Sequence, residues 1–305
     1  MKQYILNRLV SGIIVLIGIT IFAFLLIHLI PGDPARIMMG DQATTEQLET
    51  MREQLGLNKP LTVQYIDYIR GVVKGDLGTS FRTGRPVAVE ISERFISTMK
   101  LAVSALIIAV VAGVIMGVLA AKYKNTFVDV AVTSIATLGI SLPGFWVGLM
   151  FIQIFVVKFG IFKLSGETGL TDLMLPALTL SIVAIASKSR LTRTGMVEVL
   201  SADYIRTARA KGLKERVILF RHALRNVLIP IVTSIGLTMA GLLGGTVIIE
   251  QVFNWPGLGT LAIGAIYSRD FPIIQGFILF MGVSFVVINI IIDILYRIID
   301  PRVEY

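Results

Sequence analysis

Two histidines, His28 and His222, are the only imidazoles in 305 residues, and there is no cysteine. The chain therefore has no thiolate nucleophile, no disulfide and no cysteine metal site. No glycine is followed by lysine, so the Gly-x-x-x-x-Gly-Lys-Ser/Thr loop that cradles nucleotide phosphates is absent. ATP-driven work, if this chain takes part in any, must be done by a partner. Two acids lie near apolar segments. An unpaired charge at Asp293, one turn inside the end of the last such segment, costs on the order of 2 to 3 kcal/mol in a bilayer. A helix-end partner is expected there, with proton coupling as the alternative. Glu250 sits at the end of an earlier segment and needs no special explanation. The remaining chemistry is cationic and runs from Asp203 to Leu213, Asp-Tyr-Ile-Arg-Thr-Ala-Arg-Ala-Lys-Gly-Leu. Ser201 reads as an N-cap, Ala202 to Lys211 is free of glycine and proline, and Gly212 stands at a left-handed C-cap, predicting a helix of about three turns. Arg206, Arg209 and Lys211 can address carboxylates, while Thr207, Ala208 and Ala210 are small enough to let a partner approach the backbone. A solvated or headgroup-facing basic helix is the competing reading.

The elements that must position these residues are membrane spans. Hydrophobic residues make up 55% of the chain and charged residues 16%, the composition of a polytopic membrane protein. The formal net charge of +8 is read as orientation rather than nucleic-acid binding, because the basic residues flank apolar runs instead of alternating with stacking aromatics. Leu9 to Ile30 is 22 residues without a charge, about 33 Å as a helix. It is too long for a signal-peptide core and ends in Pro31-Gly32-Asp33-Pro34, so it reads as an uncleaved first span. Leu101 to Ala121 is the second. The third runs from Val128 to Val157, with Pro143-Gly144 predicting a kink near its middle. Leu228 to Ile249 and Ile273 to Tyr296 are the last two. Leu173 to Ser187, which contains Pro176, is doubtful on hydropathy alone, and charge decides it. Between Lys188 and Arg225 there are ten Lys or Arg against three acids. If 173–187 spans, this loop falls on the same side as Lys2, Arg8, Lys122, Lys124, Arg297 and Arg302, as the positive-inside rule requires. The expectation is an all-α polytopic fold with six transmembrane helices, both termini cytoplasmic and His28 and His222 on opposite sides. Neither a His metal pair nor a Ser-His-Asp arrangement is then expected.

The parts are 1–30 (N-terminus and first span), 31–97 (an extracytoplasmic helical region), 98–297 (spans two to six, with a cytoplasmic loop at 188–227) and 298–305 (tail). Inside 31–97, Thr44 and Gln47 have capping-box spacing ahead of Leu48, Met51 and Leu55, with Gly56 as a stop. A second short helix follows Pro60 with Ile66, Ile69 and Val73 on one stripe. Gly113/Gly117, Gly144/Gly148 and Gly241/Gly245 permit close helix packing, within the chain, against a second subunit or along a path. Phe253 to Gly259 reads as an outer loop with an interfacial aromatic anchor.

Seven stretches stand out together: Leu29 to Arg36 (LIPGDPAR), Gln54 to Tyr65 (QLGLNKPLTVQY), Gly75 to Phe81 (GDLGTSF), DYIRTARAKGL at 203–213, Arg221 to Pro230 (RHALRNVLIP), Ile249 to Gly259 (IEQVFNWPGLG) and the tail from Asp300. In these stretches the chain resembles the permease subunits of binding-protein-dependent ABC importers of the oligopeptide/dipeptide/nickel class. The resemblance implies a type I importer permease fold in the bacterial cytoplasmic membrane. It implies a coupling helix, Tyr204, Arg206, Thr207, Ala208, Arg209, Ala210, Lys211 and Gly212, docking on an ATPase subunit. The general permease pattern is Glu-Ala-Ala, three residues, then Gly, of which Ala208 and Gly212 fit, while Arg206 stands where the Glu is expected. The implied partners are a homologous second permease subunit, two ATPase domains or subunits that bind ATP and Mg, and an extracytoplasmic substrate-binding protein. The chain itself carries no cofactor, metal or catalytic residue in this reading. Short peptides are the implied cargo, with glutathione, nickel or a metal–chelator complex as alternatives on the same machinery. A proton-coupled secondary transporter is the reading from another class.

Overall fold

The computed structural model describes residues 2–29, 33–40, 42–162 and 169–299. In chain order the helices are α1 (Lys2–Leu29), α2 (Pro34–Met39), α3 (Thr45–Gln54), α4 (Leu61–Val73), α5 (Val87–Lys122), α6 (Phe127–Ser141) and α7 (Gly144–Phe151). They continue with α8 (Leu170–Leu200), α9 (Asp203–Ala210), α10 (Glu215–Val217), α11 (Leu224–Val252), α12 (Leu258–Ser268) and α13 (Phe271–Ile299). Ile152–Lys158 and Ile218–Ala223 are π-helical turns. Five of the helices carry stretches long and apolar enough to cross a membrane, and α6 with α7 and its π turn, bent by 104°, brings the number to six when the pair is counted as one span. Pro143 is the cause of that bend. It cannot donate to the preceding turn and forces Leu142 into extended backbone, so the third span is broken rather than kinked.

One unit comprises residues up to Ile96 together with 257–290. Its core joins Val87 and Ile91 of α5 to Leu258 and Ala265 of α12 and Ile273 of α13. The helical region after α1 is built as its sequence predicts. Thr44 Oγ1 accepts from the N–H of Gln47, and the Gln47 side chain returns an acceptor to the N–H of Thr44. The turn following Gly78 is held from a distance in sequence. The buried Asp270 carboxylate accepts from Ser80 Oγ at 2.5 Å and from the N–H groups of Phe81 and Arg82 at 3.1 and 3.3 Å. Tyr68, in α4, has its hydroxyl buried without a hydrogen-bond partner, and burial pushes its pKa up to about 12.

The second unit comprises residues 97–256 and the chain from Ile291, and α8 is at its centre. Gly113 and Gly117 let α5 approach it closely. A Cβ added at Gly117 would lie 2.5 Å from Thr192 Cβ and 2.6 Å from the Ser189 carbonyl. Gly148 meets Thr179 and Phe253, whereas Gly241 faces open space. Of the three glycine pairs, Gly113/Gly117 has both members pressed onto a neighbouring helix.

Three sequence readings change in this unit. The basic stretch from Lys188 does not start as a loop, since α8 continues through it to Leu200. Its charges are accommodated along the helix: Arg193 Nε and Nη2 reach Asp129 Oδ1 and Oδ2 at 2.5 and 2.7 Å. Trp255 is not an interfacial anchor. It is buried against Leu101 and Ala177, with its indole N–H donating to the Ser97 carbonyl at 3.0 Å. Glu250 is fully buried and accepts from Thr98 Oγ1 at 2.7 Å. Asp293 lies in α13 among residues whose side chains are outside the described set.

Candidate functional site

The site is built on α9, between the ends of α8 and α11. Ser201 does not open α9. It closes α8, its Oγ donating to the Glu198 carbonyl at 2.7 Å, and Ala202 occupies the N-cap position without a side-chain cap. The helix is therefore two turns, Asp203 to Ala210, rather than three. Its end is as predicted: Gly212 has φ +76°, its N–H donates to the Arg209 carbonyl, and Leu213 N–H reaches back to Ala208. A left-handed residue there turns the chain out of the helix at little steric cost only if it lacks a Cβ.

The eight predicted coupling residues separate into two faces. Ala208 is buried with Ile205 against Ile218, and Val199 and Leu200 pack onto that cluster, so it seats α9 on the chain's own core. Tyr204, Arg206, Thr207, Arg209, Ala210, Lys211 and Gly212 are exposed. Arg209 Nε donates to Glu215 Oε1 at 2.7 Å, Arg206 lies 3.7 Å from Asp203, and the Tyr204 hydroxyl accepts from Asn226 Nδ2 at 2.9 Å. These exposed pairs are screened by water and hold α9 weakly. The apolar seat sets its position, leaving a basic outer surface. His222 lies in the π turn after α10, and His28 lies at the end of α1 within 3.3 Å of Gln64. Among the described residues no three His, Asp or Glu side chains gather as metal ligands.

Lys188 is the residue that sequence reasoning missed. The sequence puts it at the start of the basic loop, but it is 1% exposed inside the second unit. Its Nζ donates to the Ser234 carbonyl and to Ser234 Oγ and Thr238 Oγ1 on α11. The signal available was the glycine spacing on α5, which calls for a close neighbour.

Residues 113–305 match the family described as binding-protein-dependent transport system inner membrane component, and residues 1–102 match its N-terminal companion. The chain belongs to this family. It is a multi-pass bacterial inner-membrane permease subunit of a binding-protein-dependent ABC importer, a transport subunit rather than an enzyme. The permease is 42% identical, over all of both chains, to the glutathione transport system permease protein GsiC of Escherichia coli K12 and to that of Salmonella typhi. Its fold is similar to a chain of the MetNI methionine ABC transporter in an inward-facing form (TM-score 0.59, 17% identity, 69% of this chain and 96% of that one). It is also similar to an amino acid ABC transporter solved with histidines (TM-score 0.52, 16% identity, 68% and 93%).

Proposed function

We propose that this permease forms, with a homologous second permease subunit, the path by which a small peptidic substrate enters the cell. In this reading two ATPase subunits that bind ATP and Mg drive the path through α9. The observation that carries the reading is the placing of α9, a short basic helix seated on its own chain through Ile205 and Ala208, with its charged face outward between the two helices that flank it. Ligand-driven closure of the ATPase pair would shift such a helix and bias a two-state arrangement of the spans, which is alternating access. Glutathione is the first substrate to test, because relatives matching over their full length bear that name; unmodified dipeptides and tripeptides come next.

The test is uptake and ATPase stimulation with Gly212→Val. A β-branched residue at φ +76° is strongly disfavoured, yet a Cβ there meets nothing within 4 Å, so insertion should be retained. Uptake of labelled glutathione and stimulation of the ATPase by loaded binding protein are expected to fall together. Unchanged uptake and stimulation in Gly212→Val would remove α9 from the mechanism. Uptake of dipeptides without glutathione would correct the substrate and leave the coupling intact.

A further inference from the structure

Lys188 is a cation buried inside a span, in contact with neutral groups. Its stem leaves α8 where α5 presses close: a Cβ on Gly113 would lie 2.5 Å from Lys188 Cβ and 2.9 Å from the Ile185 carbonyl. The ammonium crosses to α11 and donates to the Ser234 carbonyl at 2.9 Å, to Ser234 Oγ at 2.6 Å and to Thr238 Oγ1 at 2.6 Å. Both hydroxyls give their own protons to the backbone, Ser234 to Ile231 and Thr238 to Ser234. Their lone pairs are thus left for the lysine, and three protons meet three acceptors. Lys188 precedes the end of α8 at Leu200 by a distance of about 18 Å along the axis. Between this crossing and α9 the space is filled by Met196, Leu219, Ala223, Val227 and Ile231.

We propose that Lys188 is a positioning residue for transport. Its three bonds tie α8 to α11 so that the two arms flanking α9 move as one body, and a displacement delivered at α9 reaches span depth instead of being absorbed near the loop. Apolar side chains alone allow helices to slide, because lipid is as apolar as they are, whereas directed bonds from a buried ammonium are satisfied in one register. The inference rests on the coupling role proposed for α9.

The test uses the full-length permease assembled with its partner subunits in lipid nanodiscs. The absence of native cysteine allows spin labels at Val183→Cys on α8 and Leu237→Cys on α11, both exposed positions. One narrow distance is expected, unchanged to within about 2 Å between nucleotide-free and vanadate-trapped states. Lys188→Met should broaden that distance and lower transport per ATP about fivefold, with KM and the amount of inserted protein unchanged. Lys188→Gln, which keeps donors, should recover most of the loss. A larger shift in the wild-type distance overturns the proposal, as does wild-type transport per ATP in Lys188→Met. A loss of inserted protein in proportion to transport also overturns it, because that is a merely structural role. Failure of the α9 reading looks different: charge reversal at Arg209 and Lys211 would leave transport untouched while the α8–α11 distance stays narrow.

Discussion

Removing the Asp129 carboxylate should break a paired, buried charge in the second unit. Asp129 is 4% exposed at the first turn of α6, and it receives both Arg193 Nε and Nη2 and the N–H of Asn125 at 3.0 Å. Asp129→Ala leaves a guanidinium, with 30% of its side chain exposed, facing the cavity of a lost partner. Breaking a buried pair this way costs about 3 to 5 kcal/mol. The partial exposure of Arg193 lets water relieve part of that cost, so the lower end is expected, about 3 kcal/mol. Arg193→Met strands the carboxylate instead, which keeps the Asn125 N–H but is the more deeply buried partner, and should cost at least as much. The double variant Asp129→Ala/Arg193→Met removes both charges and should be less destabilised than either single variant. The assay is thermal or denaturant unfolding in detergent, followed by tryptophan fluorescence, to which the exposed Trp146 and the buried Trp255 both contribute. Additive losses in the cycle, or a single-variant loss below about 1 kcal/mol, a surface-pair value, would refute the reasoning.

Other substitutions discriminate between glycines and hydroxyls that look alike in sequence. Gly117→Leu drives a side chain into the Ser189 carbonyl and Thr192 and should cost about 1 to 3 kcal/mol of unfolding stability. Gly241→Ala meets nothing within 4 Å and should be neutral, or stabilising by about 0.5 to 1 kcal/mol through helix propensity. Tyr68→Phe deletes a buried hydroxyl that has no partner and should raise the unfolding midpoint, since an unsatisfied group costs about 1 to 3 kcal/mol. On α4, the hydrogen bond from Lys59 at 2.9 Å holds the Asp67 carboxyl below its usual range. A depressed acid contributes above its unfolded pKa and loses that contribution as pH falls through the lowered value. The protection of amides across 59–67, taken relative to the intrinsic exchange rate at each pH, should therefore fall on acidification, and Asp67→Asn should abolish that fall while leaving the neutral-pH protection of the rest of the chain unchanged.

The spans were legible in sequence because apolar length reports them directly, and the charge between Lys188 and Arg225 correctly rescued the short fourth one. The capping box at Thr44 and the left-handed position at Gly212 were legible for a local reason: each rule involves residues within one turn. What was hidden depended on distant partners. Arg193 looked like loop charge because Asp129, its partner, is 64 residues away. Trp255 looked interfacial because the Ser97 carbonyl cannot be foreseen from its neighbourhood. Asp270, which orders the turn after Gly78, carries no local signal at all. For α9, charge pattern gave the helix and its end, but its start was misread because Ser201 suits the end of α8 as well as the start of α9. The two faces of α9 become separable only once Ile218 is known to pack beneath Ala208.

The docking role of α9 is tested most directly by site-specific cross-linking from α9 to the ATPase subunit in the assembled importer. Ala210→Cys lies on the exposed face and Ala208→Cys on the buried one, two positions a single half-turn apart. Ala210→Cys is expected to cross-link to the ATPase in membranes, more strongly when loaded binding protein and ATP are added, while Ala208→Cys stays unreactive. Equal reactivity at both positions, or no ATPase cross-link from Ala210→Cys in an importer that still transports, would contradict it.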